Sequence, residues 1–316
     1  MSCSFRPDIE RAAAAIRAGE LVGMPTETVY GLAGDATDPA AVLRIFTAKG
    51  RPTFDPLIVH VADAEQAWTV AVPSARALKL AAACWPGPLT LVLPRRAGVP
   101  DLVTSGLETV AVRCPDHPLA LALIRAAGRP VAAPSANPFG RISPTTAAHV
   151  REQLGDAVAV VIDGGPCQIG IESTVLLPDP APVILRPGGI TRERLAEILG
   201  EDVALADTSA RAKNLPPQAP GMLASHYAPR TPMSLRVGAW PVAADVGLLA
   251  FTGADLPPGA RAEILSRAGD LQEAARNLFA ALRRLDAGGA TRLVAELVPE
   301  TGLGEGINDR LRRAAH

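Results

Sequence analysis

Two hydrophobic periodicities take turns along the chain. Over residues 8–19 the apolar positions recur at helical spacing. Ile9, Ala12, Ala13 and Ile16 share one face, and Gly19 offers a left-handed cap. Leu21 to Met24 read as a short strand stopped by Pro25. Asp38-Pro39 is an N-cap and first-turn pair, predicting a helix over 40–48 that ends in Lys49-Gly50-Arg51. A strand over 57–61 follows, then a helix from its cap Ser74 to Cys84, and the strands LTLVLP and TVAVRCP. A helix over 117–127 ends at Gly128 before the strand PVAAP. Ser143-Pro144-Thr145 opens a helix to Leu154, and VAVVIDGG is a strand. GIESTVLLP and PVILRPGG read as neighbouring strands before a helix over 191–199. Strands and helices mix without strict alternation, which predicts an α/β sheet flanked by helices rather than a regular doubly wound fold.

The pattern lapses twice. PTETVYGLAGDATD, residues 25–38, is rich in Thr and Gly and reads as a site loop. Residues 206–233 are proline-rich and aperiodic, which predicts a linker between a unit at 1–205 and a smaller α/β unit at 234–316. The second unit shows a strand (VGLLAFTG), a helix (LQEAARNLFAALRRLDAGG), another strand (RLVAELVP) and the tail GLGEGINDRLRRAA, whose GLGEG reads as a turn.

Composition narrows the class. A hydrophobic fraction of 48% with 20% charged residues fits a globular core, and with aromatics at 3% that core is built from Ala, Val, Leu and Ile. The net charge of −1 gives no global field for nucleic acid, so any such binding needs a local basic patch. Cys3, Cys84, Cys114 and Cys167 match no zinc spacing and suit reduced thiols. The N-terminus lacks a signal-peptide apolar region, and no apolar run approaches the ~20 residues of a membrane span. A cytoplasmic protein with no membrane partner is expected.

The chemistry is carried by short polar motifs at strand ends. They are PTETVYGL (25–32), KGRPTFDPLIVH (49–60), TVAVR (109–113), PSAN (134–137), RISPT (141–145), IEST (171–174) and LRPGG (185–189). No phosphate loop, H-E-x-x-H zinc motif or nucleophile elbow is present. Lysine occurs only at 49, 79 and 213 in a chain that otherwise uses arginine, so Lys49 beside Arg51 is informative: a compact ammonium suits a phosphate oxygen. Arg113 in an apolar strand needs an anionic partner, either a protein carboxylate or a ligand. Lys49, Arg51, Arg113, Arg141 and Arg186 beside the hydroxyls of Thr28, Thr109, Ser135, Ser143 and Ser173 predict a site for a polyanion, without requiring a nucleophile.

In this order the motifs resemble those of the YrdC-type threonylcarbamoyl-AMP synthases over about residues 8–200. PGMLASHYAP (220–229) and the tail resemble the long form with an extra C-terminal domain. The resemblance implies a YrdC-like twisted mixed sheet with flanking helices, plus a Rossmann-like α/β domain. It implies the synthesis of threonylcarbamoyl-AMP and pyrophosphate from L-threonine, bicarbonate and ATP with Mg2+ held mainly by the ATP phosphates. The product serves the threonylcarbamoyladenosine modification of tRNA next to the anticodon. Implied partners are the downstream tRNA threonylcarbamoyl-transferase machinery and a weak RNA contact.

Carried over motif by motif, Lys49 and Arg51 are the catalytic cations. Thr28, His60, Arg113, Ala133 and Ser173 hold threonine. Arg51, Asp55, Thr109, Ser135, Asn137, Ser143, Arg186, His226 and Tyr227 contact ATP, the last two from a linker that acts as a lid. One departure stands out: the family often carries Asn before the Pro-Leu-Ile-Val-His run, where this chain has Asp55. A carboxylate there repels a triphosphate unless it faces Mg2+ or turns away. The competing readings are an RNA-binding maturation factor without catalysis and a carbamoyltransferase. Few aromatics and near-neutral charge count against the first, and the absence of a zinc pattern counts against the second.

Overall fold

A computed structural model of the chain describes residues 6–206 and 226–315. The first unit runs α1 (Arg6–Arg17), β1 (Val22–Met24), β2 (Gly31–Asp35), α2 (Pro39–Lys49), β3 (Ile58–His60), α3 (Ala64–Val70) and α4 (Ala75–Cys84). It continues with β4 (Leu89–Pro94), α5 (Asp101–Thr104), β5 (Thr109–Arg113), α6 (Pro118–Ala127), β6 (Val131–Ala132), α7 (Ala147–Leu154), β7 (Val160–Val161), β8 (Thr174–Leu177), β9 (Val183–Arg186), α8 (Arg192–Leu199) and β10 (Ala204–Leu205). Its strands form one ten-stranded sheet in the order β10-β9-β8-β4-β5-β3-β6-β2-β1-β7. The sheet is mixed: β3 runs parallel to β5, whereas β4 and β5 are antiparallel.

The second unit holds β11 (Met233–Leu235), β12 (Val246–Ala250), β13 (Arg261–Ile264), α9 (Leu271–Ala287), β14 (Arg292–Ala295) and α10 (Leu303–Ala314). Its four strands are all parallel, in the order β11-β14-β12-β13. Most of the segment expected as a linker and lid, residues 206–233, falls outside the described residues, Ala206 and His226 to Met233 excepted. Among the described residues no helix is long and apolar enough to cross a membrane.

Strand alternation creates the ground for a site. Val59 and Val112 point into the main core with Leu91, Leu176 and Ile184. Their neighbours Ile58 and Ala111 point the other way and form a small apolar floor with Val92, Val175 and Leu185. His60 and Arg113 share that second face by the two-residue period and are paired in register. The two units are also joined through a common core. Val29, Ile142 and Ile171 of the first pack with Tyr227, Phe279, Ile307 and Leu311.

Three expectations need correction. Residues 31–35, within the stretch read as a loop, form β2, paired with β1 and β6. GLGEG is not a turn: Leu303 begins α10. The helix expected from Ser143 starts later, at Ala147, with Thr146 as its cap.

Candidate active site

The pocket opens over the face carrying His60 and Arg113 and encloses about 520 Å³ of space, part of it open to solvent. Its wall brings together Arg51, His60, Arg113, Ala133, Ser135, Ser173, Arg186, His226 and Tyr227, residues expected from five separate motifs and the linker.

Helix α2 delivers the cations. Asp38 caps its start by accepting from the Ala40 amide at 2.9 Å, and Gly50, at φ 60°, closes its end by donating to Phe46 and Thr47. The buried Lys49 is thereby aimed inward, where its Nζ donates to the carbonyls of Ser135 and Asn137, both at 2.5 Å. An ammonium has three N–H donors, so one remains for a ligand oxygen. Burial first, then the neighbouring Arg51, pushes the Lys49 amine well below its ordinary value, an imbalance that an incoming anion would relieve.

Arg51 answers the question posed by Asp55. Its Nε donates to Asp55 O at 2.9 Å, its Nη2 to Pro56 O at 2.7 Å, and Nη2 forms an ion pair with Asp55 Oδ2 at 2.9 Å. The carboxylate is fully buried against this guanidinium and does not line the pocket. Burial pushes the Asp55 carboxyl up, and the charges of Arg51 and Lys49 pull it back down.

Arg113 has a protein partner as well as an open side. Its Nη2 lies 2.7 Å from Glu27 Oε1, both side chains being about 95% buried. The approach is off the N–H axis, so neither Glu27 oxygen receives a directed hydrogen bond. Its Nε donates to Gly87 O at 3.3 Å. His60 beside it is buried, and burial together with the Arg113 charge lowers its imidazole to about 3, so it is neutral at pH 7. The Nδ1 of His60 lies 3.3 Å from Ile58 O.

The opposite wall is wired by hydroxyls and a carboxylate. Ser173 Oγ lies 2.8 Å from Thr90 Oγ1, and Arg186 Nη2 donates to Ser173 O at 2.8 Å and to its Oγ at 3.2 Å. Glu172 lines the pocket while Ser143 Oγ donates to its Oε1 at 2.5 Å and Arg310 Nε to its Oε2 at 3.0 Å. The His226 and Tyr227 rings lie edge to face at 4.2 Å, and His226 also meets Phe139 at 5.7 Å. Burial, then the charges of Arg313, Arg51, Lys49 and Arg186, keeps His226 well below its usual value and neutral.

Other expected residues stand behind the wall. Thr28 Oγ1 lies 2.8 Å from that of Thr26, and it is Thr26 that lines the pocket. Asn137 donates to Pro138 O and Arg141 O, while its Oδ1 has no partner. Thr109 lies at the far end of β5, four residues or roughly 13 Å of strand from Arg113, and does not reach the wall. Arg141 donates to Pro229 O at 3.3 Å and lines a separate cleft with Arg230 and Arg283. Sequence reasoning missed Glu27, Thr26, Glu172 and Arg310. Glu27 and Glu172 are in motifs already singled out, where a carboxylate one residue from the expected Thr28 or Ser173 was the available signal.

The wall is a set of buried cations with few free carboxylates, beside a neutral imidazole and several hydroxyls. Such a surface neutralises and orients a polyanion next to a smaller zwitterion, and it excludes water.

Comparison with known proteins matches this geometry. A family model described as "Telomere recombination" matches residues 14–188, and one described as "Threonylcarbamoyl-AMP synthase, C-terminal domain" matches residues 190–316. The chain is 43% identical over 327 residues to the threonylcarbamoyl-AMP synthase of Bacillus subtilis, covering 98% of this chain and 93% of that one. It is 42% identical over 325 residues to that of Pyrococcus abyssi, covering 97% and 94%. The crystal structure of P. abyssi Sua5 complexed with L-threonine superposes with a TM-score of 0.89 at 41% identity, covering 97% of this chain and 94% of that one.

Proposed function

The chain belongs to the threonylcarbamoyl-AMP synthase family and is a nucleotidyl-type transferase that makes threonylcarbamoyl-AMP; from that premise we propose how its pocket does so. The substrates are L-threonine, bicarbonate and ATP, the products threonylcarbamoyl-AMP and pyrophosphate. The adenylate passes to a transferase that modifies adenosine next to the anticodon of tRNA, in the cytoplasm.

Threonine enters over Ile58 and Ala111, with its carboxylate on the open side of Arg113. The guanidinium has five donors, and Glu27 and Gly87 engage only Nη2 and Nε. His60, neutral, adds a polar contact without a second positive charge beside Arg113. Thr26, Thr28, Ala133 and Ser173 shape the rest of the amino-acid side. Bicarbonate takes up a proton and loses water to give CO2; the free amine adds to its carbon, forming the N–C bond of a carbamate and releasing a proton. A carbamate oxygen then attacks the α-phosphorus, and the bond to the β-phosphate oxygen breaks with departure of pyrophosphate. No protein nucleophile takes part, so the chain's task is orientation, charge neutralisation and exclusion of water from a labile carbamate.

Lys49 offers its remaining N–H to a phosphate oxygen, and Arg51 and Arg186 face the triphosphate from either side. Ser135, Asn137, Ser143, His226 and Tyr227 complete the nucleotide side, the last two covering the phosphates. Among the described residues no cluster of three His, Cys, Asp or Glu side chains could hold a metal ion. The nearest carboxylates, Asp55 and Glu172, are committed to Arg51 and Arg310. This donor set fits Mg2+ carried on the triphosphate, held in place through the phosphates that Lys49 and Arg51 bind. When bound, it offsets phosphate charge and makes the α-phosphorus easier to attack.

The observation that carries the reading is the juxtaposition of Arg113 and His60 with Arg51 and Arg186 around one pocket, with Lys49 behind the wall on the carbonyl of Ser135. Incubation with ATP, Mg2+, threonine and labelled bicarbonate tests it: label should appear in an adenylate of threonylcarbamoyl mass. Label absent from that species overturns it.

A further inference from the structure

Arg310 lies within α10 of the C-terminal unit and is wholly buried. Its main partners belong elsewhere. Nε donates to Glu172 Oε2 at 3.0 Å and Nη1 to Pro187 O at 2.5 Å, while Asp309 of the same helix is 3.0 Å from Nη1. Its guanidinium carbon is 5.2 Å from the centroid of the Tyr227 ring, and Arg313 approaches the same ring at 5.2 Å. The carbonyl of Arg313 also accepts from the His226 amide at 3.1 Å. One turn of helix thus touches the segment before β8, the turn after β9 and the His-Tyr pair. The first and the last put Glu172 and Tyr227 into the pocket wall, and the turn directly follows Arg186 at the end of β9, which lines the wall as well.

The fit is close enough to constrain the backbone. A Cβ on Gly306 would meet Gly188 Cα at 3.3 Å and Ile171 Cδ1 at 3.0 Å, and a Cβ on Gly188 would collide with Glu172 O at 2.3 Å. Helix, turn and strand end are therefore stacked with no room for side chains between them.

We propose that Arg310 is a positioning residue for threonylcarbamoyl-AMP synthesis, and that through it the C-terminal unit completes the nucleotide side of the pocket. The inference rests on the reading of that pocket given above. Its physical basis is the charge of Glu172. A free carboxylate in a wall that receives phosphates repels them, yet both oxygens of Glu172 are occupied, one by Ser143 and one by Arg310. Burial alone would raise this carboxyl, and the charges of Arg310 and Arg186 with the Ser143 hydroxyl outweigh it and hold it ionised below its usual range. Without Arg310 the carboxylate turns toward Arg186, the next cation acting on it, and takes from the phosphates a charge they need. The Tyr227 ring loses one of its two guanidinium supports at the same time. Buried ion pairs add little net stability over apolar side chains of similar shape, so the value of this one is geometric.

Arg310→Met in the full-length protein removes the charge and keeps most of the stem. The expected result is a KM for ATP raised at least tenfold and a kcat lowered at least tenfold, with the KM for threonine within twofold of the unmutated protein. Adding Glu172→Gln to that variant should recover at least threefold of the lost kcat/KM for ATP, because the unpaired carboxylate is then gone. A folded Arg310→Met protein, with native circular dichroism and a melting point above the assay temperature, whose ATP kinetics stay within twofold would overturn the proposal. If the Met variant does not fold, Arg310→Lys is measured in its place. It keeps the charge but loses the fork that spans Glu172 and Pro187. A rise of at least threefold in KM for ATP is expected, and unchanged kinetics contradict the idea. Calorimetric binding of ATP without threonine separates this inference from the synthase reading. An unmutated protein that makes no threonylcarbamoyl-AMP defeats that reading, whereas an ATP Kd identical in the Arg310 variant and the unmutated protein defeats this one.

Discussion

Glu27 Oε1 lies 2.7 Å from Arg113 Nη2, with both side chains buried at the pocket that Arg113 lines. The arginine therefore has a structural counter-charge and an open face, and the two roles separate experimentally. Arg113→Ala leaves Glu27 buried and uncompensated, which costs about 3–5 kcal/mol by the usual behaviour of broken buried pairs. The melting temperature should fall and the KM for threonine should rise by at least tenfold. Adding Glu27→Ala should restore most of the melting temperature and none of the threonine affinity. Recovery of both would reduce Arg113 to a structural ion pair.

Lys49 uses two of its three N–H donors on the carbonyls of Ser135 and Asn137. On the proposed reading the third goes to a phosphate oxygen, so its effect would belong to the charge that develops on the phosphates in the transition state. Lys49→Ala should lower kcat by about 10²–10³-fold, the range for losing one preorganised donor. The KM for threonine should change little in the same steady-state measurement. A variant that changes only the threonine KM would move Lys49 to the other substrate.

Tyr227 holds a left-handed backbone, φ 65°, which costs a non-glycine residue about 1–2 kcal/mol. The ring is fixed by Phe279 at 5.7 Å and by the guanidiniums of Arg310 and Arg313, and its hydroxyl has no partner in the wall. A phosphate oxygen is a natural acceptor for that hydroxyl. Tyr227→Phe should weaken ATP binding by about 3- to 10-fold, one ordinary hydrogen bond, without lowering the melting temperature. Tyr227→Ala should weaken it further. An unaltered ATP Kd in the Phe variant would assign the hydroxyl no part in binding.

The buried His60 and His226 and the half-buried His117 and His149 make the fold sensitive to acid. His60 is lowered to about 3 and His149 to about 4, chiefly by burial, and His117 and His226 are also lowered. An unfolded histidine titrates near 6.5, so between about pH 6.5 and 4 the unfolded chain binds more protons than the folded one. Stability from this source is complete above pH 6.5 and is lost as pH falls. The buried His60 and His226 each contribute up to about 1.4 kcal/mol per pH unit, and the half-buried His117 and His149 less, because solvent screens them. Scanning calorimetry from pH 7.5 to 5 should show a steadily falling melting temperature, and His60→Gln should flatten the slope. A melting temperature constant across that range would contradict the burial of neutral imidazoles.

What the sequence disclosed and what it hid have separate physical causes. Helix α2 was legible because its Asp38-Pro39 start and Gly50 end are local signals, and those signals aim Lys49 and Arg51. Strand β2 was not, because Gly31-Leu-Ala-Gly-Asp35 has no β-branched residue; its pairing with β1 and β6 overrides propensity. Gly34 is there for contact, since a Cβ would meet the Ile45 and Leu21 side chains at 3.1 Å. The same confusion hid α10, where Gly304 and Gly306 suggested a turn and instead allow close packing. Arg113 in an apolar strand signals a buried charge that needs an anion, but Glu27 is too far away in sequence to identify. Asp55 looked hostile to a phosphate site until Arg51 was found to cover it. The link from Arg310 to Glu172 spans 138 residues and two units, and no local pattern announces it.

Pyrophosphate release tests the central claim most directly. With ATP and Mg2+ present, release should require threonine and bicarbonate together, and omitting either should bring it to background. Release independent of either co-substrate, or no release from a protein that nonetheless binds tRNA, would contradict the account and favour an RNA-binding factor without this chemistry.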